Sequence, residues 1–374
     1  MSTFGINVMD FGAVGDGVTD DTRAIQRAID FASARGGGRI LFPYTKGGYR
    51  LGSPGIEEYH GHPVRAQLVI PPENNANIFL EGEMPTKMLY SYQVRPLSAV
   101  KDHFSPTTFG TMSCNNTRLF SDWEAPEVHD PTERPWAMIA APEGDSCKGR
   151  FSLSQFSVAN LEFRVHLNKS KMYPTQSAAN FQNISRVWVS DCQFCLNENV
   201  GDTMLEKELL ENPCHTAGLI LSADQNDNVV VRNVAVQGFK YGFVFGEHVV
   251  AEYLYVHNCE EGVIFHDCSH LSIINHIVAQ HNTNIISTTK GNLFGMEPGP
   301  CAVMVTSLDF ECGTGHIPEI SQLRYGVHDE EGRLTGELTW FKPWGKQVFP
   351  TQCTENFRVR KLDPGRQDMT ERWE

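Results

Sequence analysis

Short apolar triplets recur along the chain, each followed by about three turn residues, a polar pair and often a second apolar run. Six segments carry this unit: Asn160–Asn168, Ser190–Asn199, Arg232–Tyr241, Glu252–Glu261, Asn275–Thr283 and Thr306–Thr314. Superposed, they give Leu161-Glu-Phe163, Cys192-Gln-Phe194, Val234-Ala-Val236, Leu254-Tyr-Val256, His276-Ile-Val278 and Leu308-Asp-Phe310. The steps from Val234 to Leu254 to His276 are 20 and 22 residues, and the others run from 31 to 42. A strand-rich unit of that length, lengthened here and there by inserted loops, predicts a solenoid of stacked β coils.

A different pattern opens the chain. From Asp10 onward a glycine-rich lead-in gives way to Ala24, Ile25, Ala28, Ile29 and Ala32, an apolar face at helical spacing. Thr19 or Asp20 is the expected cap, and Asp20 and Asp21 suit the helix's positive end. Gly36-Gly-Gly38 stops the helix, and Arg39–Pro43 and Tyr49–Leu51 read as strands. A short amphipathic helix of this kind covers the open end of a solenoid. Residues 1–51 are thus a cap with first strands, 52–150 early coils with long loops, 151–316 regular coils, and 317–374 a C-terminal hairpin near Asp329–Gly332 with a charged tail. The whole is expected to be one domain.

The stretch Asp10-Phe-Gly-Ala-Val-Gly-Asp-Gly-Val-Thr-Asp-Asp-Thr-Arg-Ala-Ile-Gln-Arg-Ala-Ile29, with Gly36–Pro43 after it, resembles the start of the pectate-lyase-like superfamily. That superfamily holds polygalacturonase-like glycoside hydrolases, polysaccharide lyases, epimerases and tailspikes. The resemblance implies an all-β fold, a single-stranded right-handed parallel β-helix with an N-terminal capping α-helix. It implies work on an oligo- or polysaccharide without fixing the chemistry.

Composition narrows the partners. The 374 residues are 40% apolar and 20% charged, a globular rather than disordered balance. A net charge of −14 lacks the basic footprint of nucleic-acid binding. No apolar run reaches the length of a membrane span. No signal-peptide pattern opens the chain, so a cytoplasmic location is expected. The ten cysteines are scattered, and several, Cys192, Cys259, Cys268 and Cys312 among them, fall at strand ends where a buried thiol packs well. Trimers occur among the resembled proteins, so a homo-oligomer stays open.

Alternation within strands places the candidate chemistry. With Leu254 and Val256 inward, Tyr255 and His257 face outward, as do Glu162 and Arg164, Gln193 and Cys195, Ala235 and Gln237, and Asp309 and Glu311. Stacking aligns these positions about 4.8 Å apart in one external stripe. Polar pairs after the turns add Glu198-Asn199, Lys240-Tyr241, Glu260-Glu261 and Asn282-Thr283, with His281 close by.

Glycoside cleavage needs two carboxyl groups in different protonation states, about 5–5.5 Å apart for retention or about 6.5–9.5 Å for inversion. Asp309 and Glu311, two residues apart on one strand, fit that range. Crowding near Glu260 and Glu261 is expected to raise one pKa. The layout around Glu260 and Glu261 also resembles the polygalacturonase coil that carries paired aspartates, with glutamates in their place. The expected catalytic groups are Glu260, Glu261, Asp309 and Glu311. His257, His281, Lys240, Tyr241, Glu198 and Tyr255 are the expected substrate contacts. The leading expectation is therefore a glycoside hydrolase without cofactor or metal. A lyase or epimerase is the alternative, with Lys240, Arg164 or Arg232 as base. Calcium enters only in that case, and Asp224 and Asp227 have the composition of a calcium loop as well as of an ordinary turn. A non-catalytic glycan-binding or tailspike-like module is the third reading.

Overall fold

The computed structural model describes residues 5–72, 76–83, 117–143, 155–168, 173–182, 184, 186–196, 212–221, 228–246, 248–266, 270–280, 284–289 and 292–295. Beyond these it describes the strand backbones 302–311, 327–328, 334–341, 357–362 and 371–373.

Each coil lays one strand on each of three parallel faces. The coil Val249–Ala251, Leu254–His257 and Glu261–His266 is representative. Its strands pair in parallel with Asn228–Arg232, Val234–Gln237 and Tyr241–Phe245 of the coil before. The first face runs from Gly37–Phe42 through Asn77–Gly82 and Phe156–Ala159 onward. The second runs from Gly48–Leu51 through Thr117–Ser121, Leu161–Val165 and Gln193–Leu196. Among the described residues, the third face is a separate sheet of nine strands. The long strand Ala302–Glu311 pairs with the first face through one half and with the second through the other.

Corner chemistry sets this geometry. Asn160, Asp191 and Asn233 turn the chain from first to second face with positive φ, a conformation Asn and Asp tolerate better than other side chains. Gly238 and Asn258, also at positive φ, make the next corner. Immediately after it Gly218 and Gly242 lie so close to the core that a Cβ on Gly218 would meet Val236 Cγ1 at 2.2 Å. A side chain there would push the third face off the core.

Inside, aromatic rings stack from coil to coil: Phe163 lies 5.2 Å from Phe194, and Phe245 6.0 Å from Phe265. Cys192 and Cys259 pack at the corners as buried thiols outside any disulfide, and Cys195 is buried too. Burial pushes Cys192 up to about 12. The α-helix Thr22–Ala34 closes the N-terminal end, with Ala24, Ile25, Ala28, Ile29 and Ala32 buried.

Three local expectations change. The helix cap is Asp21 rather than Thr19 or Asp20, and its carboxylate accepts from the amides of Val14 and Gly15, fastening the glycine-rich lead-in instead of the helix. Asp20 takes the Thr22 amide at 3.1 Å. The fifth triplet sits one residue later, since Leu254 pairs with Ile277, leaving His276 at the corner, its ring stacked on Tyr253 at 5.2 Å. Burial decides that register: Ile277 and Ala279 are the inward pair. Finally, Val327–His328 and Leu334–Phe341 continue the coils in parallel, on the third face and alongside Ala302–Glu311, where a hairpin was expected.

Candidate active site

Consecutive coils bring four predicted residues to the corner between second and third faces. Lys240 stacks over Glu260 and Tyr241 over Glu261, because the Tyr241 strand pairs with the Glu261 strand in register. The Glu261 amide donates to the Lys240 carbonyl at 2.9 Å and so locks the two coils together. Lys240 Nζ reaches Glu260 Oε2 at 3.1 Å and the Asn212 carbonyl at 3.0 Å.

Burial raises the Glu260 pKa, and Lys240 opposes the rise. The elevated acid was expected from crowding of carboxylates; its main cause is lost hydration. Tyr241 is almost fully buried, wedged edge-on against Phe294 at 5.5 Å. Its hydroxyl lies 2.7 Å from His215 Nδ1. Burial, then Lys240, holds His215 down to about 4, so the imidazole is neutral. The neutral ring shares one proton with the tyrosine hydroxyl across this contact. The loop 123–136 walls this corner: the His215 amide donates to the Val128 carbonyl at 2.9 Å, and Phe294 to the Pro131 carbonyl at 2.7 Å.

Tyr255 and His257 lie on the second face just before the corner, their rings 6.2 Å apart. Their columns do stack in register, Tyr255 with Ala235 and Gln193, and His257 with Gln237. The stripe, however, is not open to solvent: Glu162, Gln193, Cys195, Gln237, Tyr255 and His257 are all buried. Glu162 is neutralised within it by Arg118 at 3.4 Å and Arg164 at 2.5 Å. That ion pairing removes Arg164 from the expected bases. Arg232 lies 2.9 Å from Glu252 in an exposed pair. The Gln237 Oε1 and Asn258 Oδ1 acceptors at this end are buried without a hydrogen-bond partner.

Asp309 and Glu311 belong to the same second-face columns, two rungs beyond Tyr255 and His257: Tyr255 pairs with Val278 and Val278 with Asp309, while His257 pairs with Gln280 and Gln280 with Glu311. They share a face with His257 but not the corner that holds Glu260 and Glu261. Glu198, His281, Asp224 and Asp227 lie outside the described residues. The sequence missed His215 and its neighbours Glu127, His129 and Cys214, which no spacing links because the loop 123–136 and the segment 212–216 meet only in space. The one available signal was Cys214-His215 immediately before a coil strand.

A family model described as rhamnogalacturonase A/epimerase, pectate lyase-like, matches residues 5–63. Over 45 residues, 12% of this chain, the sequence is 62% identical to mannuronan C5-epimerase AlgE1 of Azotobacter vinelandii. It is 60% identical over 45 residues to alginate lyase 7 of the same organism. These matches span only 3% and 5% of those proteins' lengths. The same kind of segment, 56% identical over 39 residues, occurs in plasmin and fibronectin-binding protein A of Streptococcus pneumoniae. The A-module of Azotobacter vinelandii mannuronan C-5 epimerase AlgE4 superposes with a TM-score of 0.50 at 14% identity, covering 90% of this chain and 74% of that one. At that identity the agreement is one of fold. Capping segment and coil architecture agree: residues 5–63 match the pectate-lyase-like family model, and the described coils have the parallel β-helix fold.

Proposed function

We propose that this protein is an enzyme acting on a uronic-acid glycan, and that it moves the proton on the carbon beside the sugar carboxylate. The observation that carries the reading is the 2.7 Å contact from the Tyr241 hydroxyl to His215 Nδ1, set beside Lys240 and Glu260. Removing such a proton requires a base and groups that offset the charge growing on the carboxylate. The Tyr241 oxygen takes the proton as its own passes to His215. The Lys240 ammonium, and a Glu260 carboxyl that burial holds toward its neutral form, both donate to the substrate carboxylate. Return of the proton to the opposite side of the carbon inverts it; loss of the neighbouring glycosidic oxygen breaks the chain and leaves a double bond. The names of the relatives that share the capping segment, mannuronan epimerases and an alginate lyase, support the same reaction class.

A second reading is hydrolysis of a neutral glycan with Glu260 as acid. The elevated Glu260 pKa and the adjoining Glu261 favour it.

The two are separated by product. Purified protein is incubated with uronic and neutral polysaccharides while ultraviolet absorbance, reducing ends and sugar configuration are followed. The proposal expects unsaturated or inverted uronates from wild type and none from Tyr241→Phe. New reducing ends without absorbance, lost in Glu261→Gln and kept in Tyr241→Phe, establish hydrolysis instead. Binding of a glycan without turnover of any kind leaves the non-catalytic reading.

A further inference from the structure

We propose that Glu127, His129 and Cys214 form a binding site for one divalent transition-metal ion of the zinc class. One carboxylate oxygen, one imidazole nitrogen and the thiol sulfur all lie within 4.8 Å of one another. Ligand atoms around a tetrahedral zinc are separated by roughly 3–4 Å, so small side-chain rotations bring the three onto one ion. The donor set of thiolate, imidazole and carboxylate suits zinc and is a poor match for calcium, which takes oxygen alone.

The surroundings are those of ligands rather than of an incidental ion pair. His129 turns Nε2 toward Glu127 Oε2 at 3.0 Å, while Nδ1 lies 3.3 Å from the Pro213 carbonyl. A ligating histidine commonly donates its second ring N–H to a backbone carbonyl in this way, which fixes the tautomer and the ring plane. Glu127 is steadied in turn by the Tyr173 hydroxyl, which donates to Oε1 at 3.3 Å. Behind the cysteine, the Cys214 amide donates to Asn212 Oδ1 at 2.8 Å, and the His215 amide to the Val128 carbonyl at 2.9 Å. The two segments are therefore held at this separation by the His215–Val128 backbone bond, which needs no ion.

Binding displaces the thiol proton to solvent and forms the metal–sulfur, metal–nitrogen and metal–oxygen bonds, with no change in oxidation state. Cys214 is wholly buried whereas His129 is more than half exposed, so the fourth position faces the solvent side and takes a water. The ion ties the loop 123–136 to the approach of the strand Ala217–Leu221, next to His215. This site goes beyond the proposed reaction and does not depend on it.

The full chain, stripped with a chelator, is titrated with cobalt(II) as the probe. The expected result is a sulfur-to-cobalt charge-transfer band saturating at one equivalent and bleached by zinc. Cys214→Ser removes the band. His129→Ala, at an exposed position that leaves the fold intact by circular dichroism, weakens cobalt binding at least 10-fold. The proposal is overturned if no band saturates at one equivalent, if the band persists in Cys214→Ser, or if folded His129→Ala binds as wild type does.

Discussion

Two sheltered glutamates, Glu162 and Glu260, show how differently the same side chain is used along one solenoid. Glu162 sits in the second face with Arg118 and Arg164 both upon it and Cys195 Sγ 3.8 Å away. Two guanidiniums for one carboxylate leave no unmet negative charge, and the cluster is closed. Glu260, at the next corner, shares a single ammonium with its neighbourhood, and Glu261 follows it directly. Burial there raises the acid's pKa, and the Tyr241–His215 pair lies alongside. A surplus of cations closes the cluster around Glu162; a single ammonium beside the Tyr241–His215 pair leaves Glu260 less fully neutralised.

Tests of that contrast can be ranked by size. Tyr241→Phe is expected to lower kcat by about 10²–10⁴-fold, measured as product formed per folded molecule. Its cost in stability is about 1–3 kcal/mol, because His215 Nδ1 loses its partner. Glu162→Leu is expected to act the other way round: it strands two arginines and destabilises the fold by about 3–5 kcal/mol in urea titration, with turnover per folded molecule kept. If it abolishes turnover in folded protein, the closed cluster is part of the site after all.

Gly242→Ala tests the corner itself. Its new Cβ meets the Gly262 carbonyl oxygen at 2.3 Å and Val256 Cγ2 at 2.6 Å. The expected cost is about 1–3 kcal/mol, with a fall in turnover because Tyr241 is displaced. The smallest effect concerns pH. Glu260 has a raised pKa in the folded state, so the stability it contributes is fully present below the ordinary glutamate value of 4.5 and is lost as pH rises through its elevated folded value. Glu260→Gln removes that loss. The variant's stability relative to wild type therefore climbs above pH 4.5 and levels off once wild-type Glu260 is ionised, as thermal melting across pH will show.

The repeat was legible because burial enforces it: inward Leu254 and Val256, or Phe163 and Phe194, cannot shift register without wetting the core. The slip at His276 shows the limit, since His276 and Ile277 both suit a strand and only packing chooses between them. Lys240, Tyr241, Glu260 and Glu261 were legible as a cluster because one coil length separates them. His215 was not, because its approach to Tyr241 comes from a neighbouring segment rather than from the repeat. The buried state of Tyr255 and His257 was equally hidden, for alternation tells which way a side chain points and nothing about what lies over it.

The central claim is proton removal by the Tyr241 corner, and isotope exchange tests it most directly. Wild type and Tyr241→Phe are incubated with a uronic oligosaccharide in deuterium oxide, and the proton beside the carboxylate is followed by nuclear magnetic resonance. The account predicts loss of that proton signal, by deuteration or by double-bond formation, with wild type and its retention with the variant. A substrate that is cleaved with this proton intact, or exchange that proceeds equally well without the Tyr241 hydroxyl, contradicts it.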